Sequence, residues 1–162
     1  MTLDPCCGLK VWKEGYGAIT MDILSSVKPM VMGSMLELPF RDNTFDKIVC
    51  DPPHLIRNDP SSWVRKEGGC YVRYGRWKTL KEWQDALERM NQEFFRVLKP
   101  GADLLLKIVD GKDRRVTHYE DTFRLTNFQE LKVEGHKAKA PWSSNLTLYI
   151  TYRNKKLGNE TR

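Results

Sequence analysis

Acidic residues, prolines and a histidine stand directly after short apolar runs of this 162-residue chain. Asp51-Pro52-Pro53-His54 follows Lys47–Cys50, Asp22 follows Ile19–Met21, and Leu3 opens the hexapeptide Leu3-Asp4-Pro5-Cys6-Cys7-Gly8. A carboxylate and a proline carbonyl can together accept both hydrogens of an amino group, and a carboxylate after a strand can accept hydrogen bonds from ribose hydroxyls. Gly8 lets the backbone approach a ligand closely. These residue types therefore point to hydrogen-bonding chemistry at the ends of strands.

The elements that must position these residues are short strands and one helix. Apolar runs bounded by turn signals predict buried strands, and alternation predicts a half-buried one. The predicted strands are Ile19–Met21, Met30–Met32, Lys47–Cys50, Leu104–Val109 and Leu146–Tyr152. Thr79 and Glu82 form a capping box before an apolar helical face, which predicts a helix over Leu80–Leu98 that stops at Lys99-Pro100-Gly101. Strands separated by loops or a helix predict a doubly wound α/β fold, which binds ligands at the carboxyl ends of its strands.

The order and spacing of these motifs resemble the class I S-adenosylmethionine (SAM) dependent methyltransferases, from Leu3 to about Tyr152. Within them the chain is similar to the amino-methyltransferases that carry an Asp/Asn-Pro-Pro-aromatic tetrapeptide, including compact enzymes of prokaryotes and phages. The resemblance implies a Rossmann-like fold with a mostly parallel central sheet, helices on both faces and an antiparallel last strand. It also implies SAM as the cofactor and an exocyclic amino group of a nucleic-acid base as the acceptor. The implied catalytic residues are Asp51, Pro52, Pro53 and His54, and the implied cofactor-binding residues are Asp4, Pro5, Cys6, Cys7, Gly8, Asp22, Ile23, Ser34 and Met35.

The chain departs from this family pattern at several positions. Its first loop has only Gly8 where many relatives carry a second glycine, and Ser34 stands where many have an acid that contacts adenine. His54 replaces the more usual Tyr, Phe or Trp, and its neutral ring would stack on the target base. The first strand would begin at Met1 and keep about three residues, so we expect a clipped strand or a late start codon.

The segment Leu55–Lys81, called the basic segment below, holds seven Lys or Arg residues against two acidic ones, with large aromatics among them. Interleaved cations and aromatic rings suit phosphates and unstacked bases, and the glycines of the segment predict a mobile, substrate-ordered clamp. The predicted nucleic-acid-binding residues are Arg57, Trp63, Arg65, Lys66, Tyr71, Arg73, Tyr74, Arg76 and Trp77. The alternative is a solvated loop whose aromatics pack onto the sheet.

Composition narrows the class of protein. A net charge of +6 favours a polyanionic partner, DNA or RNA, and no apolar run is long enough to predict a membrane helix. Cysteine spacing predicts no metal site, and the chain lacks a signal peptide, so we expect a cytoplasmic protein with reduced thiols. We expect one domain over residues 1–152 and a flexible tail over 153–162. Adenine against cytosine, DNA against RNA and the oligomeric state stay open.

Two other functions are compatible with parts of this pattern. A catalytically silent methyltransferase-like subunit that binds nucleic acid or a catalytic partner is the main alternative, since three family positions are substituted. A nicotinamide-dependent oxidoreductase is disfavoured because the full G-x-G-x-x-G fingerprint is absent. Lys107, inside an apolar strand, is interpreted as an edge or snorkelling lysine, and Met30, Met32 and Met35 are interpreted mainly as core residues.

Overall fold

A mixed sheet of seven strands organises the part of the chain that the structure describes. The structure is a computed structural model and describes residues 1–9, 17–56, 75–111, 116–137 and 146–157. The strands are β1 (Thr2–Asp4), β2 (Ile19–Asp22), β3 (Val31–Met32), β4 (Phe45–Cys50), β5 (Leu98–Asp110), β6 (Phe128–Lys137) and β7 (Leu146–Asn154). Their order across the sheet is β3-β2-β1-β4-β5-β7-β6.

The directions of the strands confirm the predicted fold class. Neighbours from β3 to β5 are parallel, whereas β7 is antiparallel to both β5 and β6. The chain passes outward from β1 through β2 to β3 and then returns to the other side of β1 as β4. The strand order therefore switches between β1 and β4, and ligands of open α/β sheets bind beside such a switch.

The helix α1 (Leu80–Val97) connects β4 to β5 and ends one residue before the prediction. The Thr79 hydroxyl accepts the backbone N–H of Glu82 at 3.1 Å, which is one half of the predicted capping box; the Glu82 carboxylate accepts the backbone N–H of Lys78 rather than that of Thr79. Trp83, Leu87 and Phe94 of α1 are at most 1% exposed and share one hydrophobic cluster with β4 and β5. Residues 119–124 (Tyr119–Arg124) and 25–27 (Ser25–Val27) form short 3₁₀ helices.

The strand β5 begins at Leu98, well before the predicted Leu104. Lys99, Pro100 and Gly101 end the helix as predicted but already lie in the strand. The backbone tolerates them because pairing with β4 is irregular there, pairing with β7 starts only at Asp103, and Gly101 takes a φ of +67°.

The last two strands extend the sheet beyond the prediction. β6 has only Phe128 buried, and its other side chains are exposed; the alternation of apolar and polar residues in it is confined to Leu131–Glu134. β7 continues past Tyr152 to Asn154, which is 2% exposed and donates to the carbonyls of Leu98 and Lys99. The predicted tail boundary after residue 152 is therefore too early, and residues 158–162 lie outside the described residues. No helix among the described residues is long and apolar enough to cross a membrane.

Candidate active site

The turn after β1 and the turn after β4 meet where the strand order switches. Thr2 and Leu3 of β1 pair with β4, so the chain leaving β1 runs beside the chain leaving β4. The thiols of Cys6 and Cys50 lie 3.6 Å apart, so the turn after β1 contacts the last residue of β4. The hydrogen bond with Cys50, together with burial and nearby carboxylates, raises the pKa of the Cys6 thiol well above its usual range. Cys6 is therefore protonated at neutral pH, which argues against a nucleophilic role.

Asp22 ties the first turn to the end of β2. Its side chain is 8% exposed, and its two carboxylate oxygens each accept one backbone N–H, from Gly8 and from Leu24, both at 2.9 Å. Each oxygen keeps a second lone pair for a ligand hydroxyl. Gly8 has a φ of +47°, which favours glycine, and a Cβ there would meet no atom within 4 Å. As far as the described residues reach, open space beside Gly8 and free acceptor capacity on Asp22 leave room for a polar ligand.

Asp4, the last residue of β1, is slightly more buried than Asp22, with 5% of its surface exposed. Burial is the main cause that raises its pKa to about 6, and the nearby charges of Asp51 and Asp22 add to it, against a hydrogen bond from the Cys6 backbone. Asp4 thus lies close enough to Asp51 and to Asp22 to be repelled by both. A cationic ligand would relieve this repulsion.

The ends of β2 and β3 present apolar side chains to solvent beside Asp22. Ile23 is 68% exposed and Met32 is 54% exposed, and Met32 pairs in register with Asp22. Met35 is 9% exposed and belongs to the hydrophobic core, whereas Met30 is 70% exposed. The expectation that Met30 and Met32 are core residues is therefore wrong, because β3 is the edge strand of the sheet.

Ser34 and Met35 follow β3 in a tight turn. The Ser34 hydroxyl accepts the backbone N–H of Leu36 at 3.2 Å, and the Ser34 carbonyl accepts that of Glu37. Because Met35 packs inward, a ligand at this strand end would meet Ser34 and Met32 rather than the Met35 side chain. The sequence reasoning missed Met32, whose position at an edge only the strand order reveals.

Asp51 forms a polar group of three side chains after β4. His54 Nε2 lies 2.8 Å from Asp51 Oδ1, and Lys107 Nζ forms an ion pair with Asp51 Oδ2. Burial acts to raise the pKa of Asp51, but the hydrogen bonds and charges of His54 and Lys107 outweigh it and hold this pKa below its usual range. Asp51 is therefore ionised at neutral pH, and its side chain is 26% exposed.

The loop that carries Asp51 is held from two sides. The indole Nε1 of Trp77 donates to the Pro53 carbonyl at 2.8 Å, and the Trp77 backbone N–H donates to the Leu55 carbonyl at 2.9 Å. On the other side, the Thr117 backbone N–H donates to the His54 carbonyl at 2.9 Å. Within the described ranges no group donates to the Pro52 carbonyl, so it can accept a ligand hydrogen.

The basic segment is described only at its two ends. Leu55 pairs with Val116 and Ile56 pairs with Trp77, so these ends are anchored and not part of a mobile clamp. Trp77 is 7% exposed and packs on Trp83, and this buried ring offers no face to a base, contrary to its predicted role. Arg76 is half-buried beside it. The other predicted contacts lie outside the described residues: Arg57, Trp63, Arg65, Lys66, Tyr71, Arg73 and Tyr74.

The position of Lys107 in the structure differs from the one predicted from the sequence. The interpretation as an edge or snorkelling lysine is wrong, since Lys107 lies on β5, an interior strand of the sheet, and only 23% of its side chain is exposed. The signal available in the sequence was its place among apolar residues, Leu104–Val109. An ammonium at such a position needs a carboxylate partner.

Comparison with solved structures identifies the fold. A SAM-dependent methyltransferase from Methanosarcina mazei aligns with a TM-score of 0.59 and 15% identity, over 94% of this chain and 91% of that one. The N-methyltransferase NodS from Bradyrhizobium japonicum, in complex with S-adenosyl-L-homocysteine, aligns with a TM-score of 0.61 and 13% identity, over 96% and 78%. The [4+2]-cyclase SpnF also aligns, with a TM-score of 0.61 and 13% identity, over 94% and 74%.

No protein-family model and no curated sequence matches the chain. The structural matches show that the chain has the Rossmann-like fold of the SAM-dependent methyltransferases. At these identities the likeness concerns the fold, and the chemistry has to be argued from the site.

Proposed function

We propose that the chain is a SAM-dependent methyltransferase that methylates an exocyclic amino group of a nucleic-acid base, adenine N6, cytosine N4 or an RNA base amine. The observation that carries this proposal is the ionised Asp51 beside the Pro52 carbonyl, at the switch in strand order and next to the Asp4 and Asp22 carboxylates. An acceptor site for an amine and an acidic site for a cation thus adjoin each other.

The residues after β1, β2 and β3 fit SAM chemically. Asp22 has free acceptor capacity for the two ribose hydroxyls, and the exposed Ile23 and Met32 offer apolar contact to the adenine ring. The turn from Asp4 to Gly8 would hold the amino-acid part, whose ammonium group suits the buried Asp4 carboxylate. When bound, SAM would supply a methyl group carried on a positively charged sulfur. The amine nitrogen would bond to the methyl carbon as the carbon–sulfur bond breaks, which gives the methylated amine, S-adenosylhomocysteine and a proton.

Asp51 and Pro52 would act on the amine. The lone pair of an exocyclic base amine is shared with the ring, so the nitrogen is a poor nucleophile. Hydrogen bonds from both amine hydrogens, to the Asp51 carboxylate and to the Pro52 carbonyl, favour a tetrahedral nitrogen and stabilise the positive charge that develops on it. The Trp77 and Thr117 contacts hold both acceptors before the substrate arrives. The exposed part of the His54 ring would contact the base.

The basic segment supports a nucleic acid rather than a small amine as the substrate. It carries most of the net charge of +6 and begins at Leu55, directly after the loop Asp51–His54, called the acceptor loop below. Cations next to the target loop would bind the phosphates that flank a flipped base. The predicted contacts Arg57, Arg65 and Arg73 belong to this part of the proposal.

Transfer of radiolabelled methyl from SAM to single- and double-stranded DNA and RNA tests the function. We expect label in at least one nucleic acid, loss of at least 100-fold with Asp51→Asn, and SAM affinity within about tenfold of the wild type by calorimetry. Asp46→Asn, at the opposite end of the same strand, is the matched control and should keep its activity.

Asp22→Ala tests the cofactor half of the proposal, because it should weaken SAM binding at least tenfold. Absence of SAM binding by the wild-type protein would contradict the proposal. Binding of SAM without transfer to any nucleic acid would instead favour a catalytically silent subunit.

A further inference from the structure

The register of the sheet brings Lys107 next to Asp51. Cys50, the last residue of β4, pairs with Leu106 of β5, so Asp51 and Lys107 are the next residues of two adjacent parallel strands. Leu104, Leu106 and Ile108 point to the hydrophobic core and are at most 1% exposed. Lys107 alternates with them and lies on the other face of the sheet.

The two donors at Asp51 occupy different oxygens. Lys107 Nζ contacts Oδ2, and His54 Nε2 lies 2.8 Å from Oδ1. Because each carboxylate oxygen accepts two hydrogen bonds, one acceptor position remains on each oxygen. Donors on both sides also fix the rotation of the carboxylate about its side-chain bonds, which a single contact would leave variable.

A purely structural role does not account for this lysine. Its strand neighbours on the same face, Leu105 and Val109, are apolar, and an apolar residue at 107 would pack beside them without desolvating an ammonium. An ammonium also opposes a cationic ligand in the adjoining acidic site. Among the described residues, the contact of Lys107 that bears on the proposed chemistry is its ion pair with Asp51.

We propose that Lys107 is a positioning residue for methyl transfer: with His54 on the other oxygen, its ammonium keeps the Asp51 carboxylate charged and oriented, so that the remaining acceptor position receives the hydrogen of the target amine. This inference rests on the proposed function. A protonated Asp51 would lose the negative charge that stabilises the developing positive charge on the amine and would be a weaker acceptor, and a rotated carboxylate would miss the amine.

The groups that face Asp51 come from three elements. Lys107 comes from β5, His54 from the loop after β4, and Asp4 and Cys6 from the turn after β1. Asp4 titrates near pH 6 and its charge acts against that of Asp51. A pH profile therefore has to separate the titration of Asp51 from that of Asp4. Rates at saturating SAM report the titration of the enzyme with SAM bound, in which the ammonium group of SAM would lie against Asp4.

The test compares Lys107→Met with Lys107→Arg, and with Lys132→Met as the matched control, since Lys132 is a strand lysine paired with Glu134 on β6. At saturating SAM we expect kcat of Lys107→Met to fall at least tenfold at neutral pH and the acid limb of its profile to move up by at least one pH unit. Lys107→Arg should keep most of the activity and the wild-type limb. Lys132→Met should leave both unchanged, and S-adenosylhomocysteine affinity should stay within threefold in all variants.

A second measurement does not depend on activity. Carbon-13 labelled aspartate lets NMR follow the titration of Asp51, assigned by its loss in Asp51→Asn. We expect a pKa below the usual aspartate value in the wild type and a higher one in Lys107→Met.

A wild-type pKa of Asp51 at or above the usual aspartate value overturns the inference, even when Lys107→Met does not fold. An unmoved acid limb and an unmoved titration in a folded Lys107→Met also overturn it. Absence of methyl transfer by the wild type would instead contradict the proposed function, while the NMR titration still decides the role of Lys107.

Discussion

At the scale of single residues, two carboxylates of one site differ in what surrounds them. Asp4 is buried with other carboxylates nearby, which raises its pKa to about 6, whereas Asp51 has two donors that hold its pKa below the usual range. The first arrangement stores electrostatic repulsion that a cation can relieve, and the second keeps an acceptor charged. Sites that bind charged ligands often retain such unfavourable groups.

The first prediction follows from the raised pKa of Asp4. A carboxyl group with a higher pKa in the folded state favours folding below its unfolded pKa, and this contribution is lost as pH rises through the folded value. Asp4→Asn should therefore increase the free energy of unfolding at pH 7.5 by at most about 3 kcal/mol, given a pKa of about 6 against the usual 3.8. The gain should shrink below pH 6 and vanish below about pH 4.

Urea unfolding at several pH values measures this difference. Asp103→Asn serves as the control, because Asp103 is an exposed carboxylate that pairs with Arg153. A gain that is absent at pH 7.5, or that does not change with pH, would show that Asp4 is not held in an unfavourable charged state.

The same residues show how far sequence reasoning reaches. Asp22 and Asp51 were predictable because each follows an apolar run, and parallel strands bring their carboxyl ends together. The role of Lys107 was not, since only the pairing of Cys50 with Leu106 places it beside Asp51. Trp77 was predicted to contact nucleic acid because charged residues surround it in the sequence. The sequence does not show that its indole donates a hydrogen bond to the Pro53 carbonyl.

At the scale of elements, the acceptor loop after β4 is supported by segments from two other parts of the chain. Trp77 lies just before α1, and Thr117, which is fully buried, lies between β5 and the second 3₁₀ helix. Each donates a hydrogen bond to a carbonyl of the loop. The loop is therefore positioned by the fold before any ligand binds.

The second prediction concerns Trp77→Phe. This variant keeps an aromatic ring in the core but leaves the Pro53 carbonyl without its indole donor, which should lower the free energy of unfolding by roughly 1–3 kcal/mol. It should also lower kcat, because the Pro52 carbonyl is then less well fixed, and leave the salt dependence of nucleic-acid binding unchanged. Thermal unfolding, steady-state rates and binding titrations measure the three quantities.

Trp63→Ala is the counterpart outside the described residues. If its ring stacks on a base, nucleic-acid binding weakens by roughly 1–3 kcal/mol with little change in stability. A Trp77→Phe variant that keeps its stability but binds nucleic acid more weakly would place Trp77 in the interface after all.

Most elements were predictable from the sequence pattern. Seven occur where the sequence predicted them, with shifted ends: β1, β2, β3, β4, β5, β7 and α1. β6 was missed because its apolar–polar alternation, Leu131–Glu134, covers only four of its ten residues and its apolar side chains there are exposed. Its pairing with β7 depends on backbone hydrogen bonds that a sequence pattern does not record.

At the scale of the whole molecule, positive charge and the acceptor site lie on one part of the chain. The basic segment begins where the acceptor loop ends, and its predicted phosphate contacts include Arg65 and Arg73. Neutralising contacts to phosphate lowers affinity and reduces the slope of affinity against salt concentration, because fewer counterions are released.

The third prediction is that Arg65→Gln/Arg73→Gln binds nucleic acid more weakly and with a salt slope smaller by about 2, while SAM affinity is unchanged. Lys28→Gln/Lys132→Gln removes the same charge elsewhere and should keep the wild-type slope. Binding titrations from low to moderate salt measure both. Equal slopes for the two double variants would show that general charge, and not the basic segment, holds the nucleic acid.

The central claim is that the methyl group goes to an exocyclic nitrogen of a nucleic-acid base, and the identity of the product tests it most directly. The nucleic acid that accepts label is digested to nucleosides, and mass spectrometry locates the methyl group. The account predicts a methyl group on an exocyclic amine, such as adenine N6 or cytosine N4, that is absent with Asp51→Asn. A methyl group on a ring carbon, on ribose or only on a small molecule, made by an enzyme that binds SAM, would contradict it.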